Sequence, residues 1–191
     1  MKLRLALAQV NPTVGDLVGN AALVKKSVDQ AVAAGAHIAI FPEMVLTGYP
    51  VEDLALRPSF QLASKAAIAS LAAQLDKKIV SIVGYLDQVD GKPQNMVAVI
   101  AGGEIRARYA KCHLPNYGVF DEKRVFDAGP LPGSVAIRGV RIGIPICEDI
   151  WGPDVVECLA ETGAEILIVP NASPYRRGRM AERLNTTGAR V

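Results

Sequence analysis

The stretch "VRIGIPICEDIWGPDVVECLAETGAEILIVPNAS", residues 140–173, decides the fold class. Its first part, "VRIGIPIC" (140–147), is an apolar run typical of a buried strand, and the spacing of apolar residues predicts a short helix over 153–162. A second apolar run, "EILIVPNAS" (165–173), predicts another strand, and a further helix begins after it. Apolar strands that alternate with helices indicate an α/β protein.

The same alternation runs through the rest of the chain. Apolar runs predict buried strands, and helical spacing or alanine-rich composition predicts helices. The predicted strands are 3–9, 37–43 and 78–87, and the predicted helices are 17–34 and 59–75. A hairpin over 95–111, turning at Gly102-Gly103, makes the sheet mixed. Residues 112–133 are predicted to be irregular.

Composition excludes several classes of protein. The chain has 191 residues, half of them apolar, which fits one domain with a substantial core. A net charge of +2 with scattered Lys and Arg predicts no nucleic-acid partner, and the basic stretch "SPYRRGRMAER" (173–183) is interpreted as a solvated helix face. Three cysteines without a CxxC pair argue against disulfides and structural zinc. The apolar start is too short for a signal peptide or a membrane span, so we expect a cytoplasmic protein without a metal or a membrane partner.

Three reactive side chains lie at predicted strand ends. Glu43 ends the strand 37–43, Lys111 ends the second strand of the hairpin, and Cys147 ends the strand 140–147. Functional residues of α/β sheets collect just beyond the carboxyl ends of strands, so these three could face one crevice. Taken singly, each has a structural alternative: a surface acid or helix cap for Glu43, an exposed cation for Lys111, and a buried inert thiol for Cys147.

Together the three form a chemical unit. A thiol attacks as its thiolate, so its proton must be removed, and Glu43 could take that proton and return it to a leaving amine. Lys111 would place a positive charge near the thiolate and near the oxyanion of a tetrahedral intermediate. The backbone N–H of Glu148 would be a second oxyanion donor. The side chains of Glu148 and Asp149 would oppose thiolate formation, so we predict that they turn away and anchor the loop.

Five blocks of sequence resemble one known family. They are "LALAQVNPTVGDLVGN" (5–20), "FPEMVLTGYPVEDL" (41–54), "KCHLPNYGVFDEKRVF" (111–126), "GIPICEDIWGPD" (143–154) and "PNASPYRRGR" (170–179). The chain resembles the nitrilase (carbon–nitrogen hydrolase) superfamily, and most closely the N-terminal glutaminase domains of glutamine-dependent NAD+ synthetases. The resemblance implies a four-layer αββα sandwich with mixed sheets and a Glu-Lys-Cys triad, which falls on Glu43, Lys111 and Cys147.

The resemblance also implies substrate-binding residues. The "NYGVFDE" loop points to Tyr117 and to Glu122 as an additional acid near the triad, although Glu122 alone would be interpreted as a surface acid. The "SPY…GR" segment points to Ser173 and Arg179 as residues that grip glutamine. Glu148 completes the predicted substrate-binding set.

The function implied is hydrolysis of the glutamine amide through a Cys147 thioester, without a metal or organic cofactor. In the family, the ammonia serves ATP-dependent conversion of deamido-NAD+ to NAD+ in a synthetase domain, with Mg²⁺, in chains that assemble into homo-oligomers. No pyrophosphate-binding loop of that domain occurs here, so residues 1–191 are predicted to be a single glutaminase domain, incomplete at its C-terminus. The alternatives are a free-standing amidase or carbamoylase and a non-catalytic domain kept for assembly.

Overall fold

Two β-sheets carry the fold in the computed structural model, which describes residues 2–190. The strands are β1 (Leu5–Leu7), β2 (Ile38–Ile40), β3 (Val80–Val89), β4 (Lys92–Ala101), β5 (Glu104–Ala110), β6 (Val135–Ile137), β7 (Val140–Gly143) and β8 (Ile166–Leu167). The helices are α1 (Leu17–Ala33), α2 (Pro58–Gln74), α3 (Glu122–Val125), α4 (Pro153–Glu161) and α5 (Arg179–Gly188). Single 3₁₀ turns span Glu52–Leu56 and Cys147–Ile150.

The first sheet has the order β1-β2-β3-β4-β5. Its first three strands run parallel, while β3–β4 and β4–β5 are antiparallel hairpins. The first hairpin turns at Asp90 and Gly91, both with positive φ, as a tight turn matched to the strand twist requires. The second turns at Gly102 and Gly103 as predicted. The prediction of a mixed sheet is therefore confirmed.

The second sheet has the order β6-β7-β8, with β6 antiparallel and β8 parallel to β7. Helix α4 makes the crossover between β7 and β8 and buries Val155, Val156 and Leu159. Gly143 permits close packing here, because a Cβ atom at this position would lie 3.0 Å from Leu159 Cδ1. This strand–helix–strand unit confirms the α/β prediction.

The elements stack in four layers. Helices α1 and α2 pack on one face of the first sheet, around buried residues such as Val28, Ile68 and Val83. The opposite face packs against the second sheet through an aliphatic cluster that includes Ile82 and Ile142. Burial of such side chains supplies the main driving force for folding. With α4 on the far side of the second sheet, the prediction of an αββα sandwich is confirmed.

Several predicted strands are too long. Strand β1 occupies an edge of its sheet, and Leu7 is 72% exposed, so the prediction of a buried strand over 3–9 is wrong. Strand β7 ends at Gly143, before Pro145, and β8 covers only Ile166–Leu167 of the predicted 165–173. Proline removes a ladder donor, which explains the early end of β7. The segment 112–133 contains the short helix α3.

Candidate active site

Lys111 directly follows strand β5, as the sequence predicts. Its N–H donates to Asn95 O on the neighbouring strand (2.9 Å), and its C=O accepts from Gly129 N–H (2.8 Å). Gly129 approaches the strand end so closely that a Cβ atom there would lie 2.5 Å from Ala110 Cβ. The backbone of Lys111 is therefore held on both sides, and the residue is 1% exposed.

Glu43 lies three residues after strand β2, in a turn that crosses β3. Phe41 N–H donates to Ile82 O (3.0 Å), and Leu46 N–H donates to Gly84 O (3.0 Å). The turn lies against Gly84, where a Cβ atom would be 2.3 Å from Met44 N. Met44 has a left-handed φ of +51°, and Glu43 is 1% exposed, so the acid is directed into the protein and not to the surface.

Cys147 begins the 3₁₀ turn that follows the apolar run after β7. Its φ is +48°, an unfavourable conformation for a residue with a side chain, and such strain is concentrated at functional sites. Its N–H donates to Pro170 O (2.9 Å), which ties the turn to the segment after β8. The Glu148 amide, predicted to be the second oxyanion donor, comes next in the turn.

Lys111 lies between two buried carboxylates. Its Nζ is 2.7 Å from Glu43 Oε1, and 3.0 Å and 2.8 Å from the two oxygens of Glu122. The second Glu43 oxygen accepts from Ala172 N–H (3.1 Å), and the next residue, Ser173, places Oγ 3.5 Å from Cys147 Sγ. The structure therefore brings Glu43, Lys111, Cys147 and Glu122 into one buried cluster, with the half-buried Ser173 beside it.

Charge and burial set the protonation states in this cluster. Burial lowers the pKa of Lys111, but Glu43, Cys147 and Glu122 outweigh it and raise that pKa above its ordinary value, so Lys111 stays an ammonium. The pKa of Cys147 is raised to about 12, first by burial and then by Glu43, against the lowering effects of Lys111 and the Ser173 hydroxyl. The resting sulfur is therefore a thiol, and a base must take its proton for the sulfur to act as a nucleophile.

The other predicted residues lie beside the cluster. Tyr117 is 47% exposed, and its hydroxyl donates to both Glu148 oxygens (2.9 Å each). The Arg179 guanidinium stacks over the Trp151 ring at 5.0 Å. Tyr117 and Arg179 also line a pocket of ≈ 240 Å³ together with Phe120 and Tyr175. These residues form a rim that holds the Glu148 carboxylate, one residue after Cys147, and the Arg179 guanidinium, which is largely covered and lies near Glu182 (3.5 Å).

Asp149 is turned away from the sulfur and anchors the loop, as predicted. Its Oδ1 accepts the N–H groups of Cys112 (3.0 Å) and His113 (2.7 Å), and its Oδ2 accepts the Ile146 N–H (2.9 Å). Burial raises the pKa of Asp149, against the lowering effect of these bonds. The Glu148 side chain accepts the Tyr117 hydroxyl at the rim, and its predicted orientation away from the sulfur stays a prediction.

Two residues next to the acids were not predicted from the sequence. Asn95 Nδ2 donates to Glu43 Oε1 (2.8 Å), and Tyr49 OH donates to Glu122 Oε1 (2.9 Å). Asn95 had a signal that could have found it, because it is an amide at the start of an otherwise apolar strand segment. Tyr49 had no such signal in the sequence, because a tyrosine before a proline is common in loops.

Neither histidine belongs to the cluster. His37 Nδ1 accepts the Arg4 N–H (3.0 Å), and His113 Nε2 pairs with the exposed Asp154 (2.9 Å). Within residues 2–190, no group of three or more His, Cys, Asp or Glu side chains is placed to hold a metal ion. Over the same residues, no helix has the length and apolar character needed to cross a membrane.

A family model for "Carbon-nitrogen hydrolase" matches residues 4–190. The chain belongs to the carbon–nitrogen hydrolase family. This confirms the predicted nitrilase-superfamily resemblance and the prediction that the chain is an enzyme of this class. The solved amidase from Nesterenkonia sp. AN1 has the same fold, with a TM-score of 0.84 at 23% identity over 99% of this chain and 74% of that one.

Named relatives are glutamine-dependent NAD+ synthetases. The Rhodobacter capsulatus protein is 46% identical over the whole chain, and the Aquifex aeolicus protein is 41% identical over 91% of it. The solved structure of the Acinetobacter baumannii protein has a TM-score of 0.90 at 36% identity and covers 98% of this chain. This carbon–nitrogen hydrolase chain spans about a third of these relatives' length, namely 34%, 30% and 35%.

Proposed function

We propose that the chain hydrolyses the side-chain amide of L-glutamine through a covalent thioester on Cys147. One observation carries the proposal: a buried ammonium, Lys111, lies 2.7 Å from Glu43 in a cluster that also holds the Cys147 thiol. Three ionisable groups of different chemistry, each at most 2% exposed, are too costly to bury together without a function that needs them. A domain kept only for assembly has no use for such a cluster.

In the first half of the reaction, Glu43 takes the proton of the Cys147 thiol as the sulfur attacks the amide carbon. Because burial and Glu43 raise the pKa of the thiol, the resting sulfur is protonated, and Glu43 acts as the general base during the attack. Lys111 and the Glu148 amide stabilise the oxyanion of the tetrahedral intermediate. The intermediate collapses with cleavage of the C–N bond, and the departing nitrogen takes the proton from Glu43 and leaves as ammonia.

In the second half, water releases the product. Glu43 takes a proton from a water molecule, whose oxygen attacks the γ-glutamyl thioester. The same oxyanion donors stabilise the second tetrahedral intermediate, the C–S bond breaks, and the sulfur regains its proton from Glu43. The products are glutamate and the free thiol, so each turnover consumes one water and requires no cofactor for the amide step.

The charges of the rim favour glutamine over an apolar amide. Glu148 can bind an α-ammonium group, and Arg179 can bind an α-carboxylate, while Ser173 lies next to the reacting sulfur. Tyr117 holds the Glu148 carboxylate in place. A free-standing amidase that acts on a neutral substrate would gain nothing from a carboxylate and a guanidinium at this position.

The test is labelling with the glutamine-like electrophile 6-diazo-5-oxo-norleucine, followed by peptide mass spectrometry. We expect one adduct, on Cys147, that excess glutamine prevents and that Cys147→Ala abolishes. Cys158→Ala is the matched control and should label normally, since Cys158 lies on α4, where its Sγ donates to Pro132 O (3.6 Å). Adducts on Cys112 or Cys158 instead would rule out the assignment.

A rate measurement tests Lys111 separately. Lys111→Ala should lower kcat for glutamine at least about 100-fold, the usual cost of one lost oxyanion donor. A near-normal rate would remove Lys111 from the mechanism. Hydrolysis of simple aliphatic amides or carbamoyl amines faster than glutamine would favour the amidase or carbamoylase alternative.

We also propose that the ammonia serves NAD+ synthesis in a longer protein. The support is the likeness to named glutamine-dependent NAD+ synthetases about three times as long. ATP, Mg²⁺ and deamido-NAD+ would then bind a synthetase domain outside residues 1–191, in a cytoplasmic homo-oligomer. The mass of the native gene product, measured from its source, tests this proposal, because a chain several hundred residues longer is expected.

A further inference from the structure

Tyr49 reaches the buried acids from a loop that the proposed mechanism does not use. Its hydroxyl donates to Glu122 Oε1 at 2.9 Å, and the same oxygen lies 3.0 Å from Lys111 Nζ. The Tyr49 ring packs against the buried Met44, Leu86 and Phe126 cluster, so the hydroxyl has a fixed position. A fixed O–H group therefore contacts Glu122, and Glu122 and Glu43 both pair with the Lys111 ammonium.

Glu122 needs such donors to remain ionised. The residue is 3% exposed, and burial is the largest influence, raising the pKa of Glu122. The nearby Glu43 carboxylate also disfavours its charge, whereas Lys111 and the Tyr49 hydroxyl favour it. The single positive charge of Lys111 cannot fully balance the negative charges of both Glu43 and Glu122, because the two carboxylates share it.

We propose that Tyr49 is a positioning residue that keeps Glu122 ionised, so that Glu122 and Glu43 together fix the Lys111 ammonium beside Cys147. The ionised acid contacts Nζ through both oxygens, whereas a neutral carboxyl would release one contact and leave the lysine side chain freer to turn. The contribution to turnover rests on the proposed function, but the effect of Tyr49 on Glu122 does not.

Charged groups approach Glu122 from the cluster and from the solvent side. Lys111 and Glu43 face it from the cluster, and the Cys147 thiol lies near the Tyr49 hydroxyl that donates to it. On the solvent side, Glu52 and Asp121 line a small cavity next to it, but both are exposed and both bind Arg124. Tyr49 itself does not titrate in the working range, because burial and the two acids raise its pKa. The Tyr49 hydroxyl therefore acts only as a hydrogen-bond donor to Glu122.

The experiment is an NMR titration of the protein with ¹³C-labelled glutamate carboxyls, in which the Glu122 signal is assigned by its loss in Glu122→Gln. In Tyr49→Phe, we expect the apparent pKa of Glu122 to rise by about one to two pH units, the shift produced by losing one hydrogen bond to a charged group. The acidic limb of kcat/KM for glutamine should move to higher pH by the same amount. An unchanged Glu122 titration would overturn the proposal.

Two controls separate the possible outcomes. Tyr109→Phe removes the hydroxyl of another half-buried tyrosine, outside the cluster, and should leave the Glu122 titration unchanged. Because the titration needs no substrate, it reports on Tyr49 even if glutamine is not hydrolysed.

If Tyr49→Phe does not fold, the wild-type protein labelled with ¹³Cζ-tyrosine provides the test. The chemical shift of Tyr49 Cζ must change with the same pH midpoint as the Glu122 carboxyl, and a different midpoint would contradict the proposal.

Discussion

The Asp149 carboxylate accepts the backbone N–H of His113 at 2.7 Å, and through this bond the turn that carries Cys147 is joined to the chain after Lys111. The second Asp149 oxygen accepts the Ile146 N–H at 2.9 Å, on the other side of the nucleophile. One buried side chain therefore sets the position of the sulfur relative to the ammonium, although it contacts neither.

Asp149→Asn should damage both stability and turnover. The amide keeps one acceptor oxygen and turns an N–H₂ group toward a backbone donor, so at least one buried N–H loses its partner. We expect a loss of about 1–3 kcal/mol in the free energy of unfolding, measured by urea denaturation. A shift of the turn should lower kcat for glutamine by about 10- to 100-fold, because small misplacements are costly in catalysis.

Asp154→Asn is the matched control for this variant. Asp154 also contacts the 112–113 segment, through the His113 ring, but it is exposed, and surface pairs contribute little. Stability and rate should stay close to wild type. Equal losses of stability and of kcat in Asp149→Asn and Asp154→Asn would mean that Asp149 acts only through general destabilisation.

The site was predictable where chemistry coincided with a strand end, and unpredictable where it depended on distant contacts. Lys111 lies next to the last residue of a strand, and Glu43 and Cys147 lie three and four residues beyond one, so the rule for α/β sheets selected them. Tyr49 and Asn95 contact acids 73 and 52 residues away, and no local pattern encodes such pairs. The exposure of Leu7 was missed for a related reason, because an apolar run does not reveal an edge position.

Gly84→Ala should displace Glu43 without touching its side chain. The added methyl would lie 2.3 Å from Met44 N and 2.7 Å from Pro42 O, so the turn must move away from β3. We expect a loss of about 1–3 kcal/mol in the free energy of unfolding and a large fall in kcat. Gly188→Ala, where a Cβ meets nothing within 4 Å, should change neither. Normal turnover in Gly84→Ala would show that the base tolerates displacement.

Trp151→Leu should weaken glutamine binding more than it slows the chemistry. The Trp151 ring supports the Arg179 guanidinium at 5.0 Å, and a stacked cation contributes about 0.5–2 kcal/mol. We therefore expect KM for glutamine to rise by about 3- to 20-fold with kcat within about threefold of wild type. Trp151→Phe, which keeps an aromatic face, should restore much of the affinity. A fall in kcat with unchanged KM would contradict this role.

Alkylation of Cys147 by iodoacetamide should increase with pH well beyond the range of an ordinary thiol. Since the pKa of Cys147 is about 12, the thiolate fraction, and with it the alkylation rate, should rise about tenfold per unit up to about pH 10 without a plateau. In the urea-unfolded chain the rate should level off above about pH 8.5.

Ser173→Ala removes a donor that lowers the pKa of Cys147, so site-resolved mass spectrometry should show that alkylation of Cys147 is slowed by about 2- to 10-fold. Ser70→Ala, on the exposed face of α2, should leave the alkylation rate unchanged. A plateau near neutral pH would instead reveal a preformed thiolate and remove the need for Glu43 as the base that deprotonates Cys147.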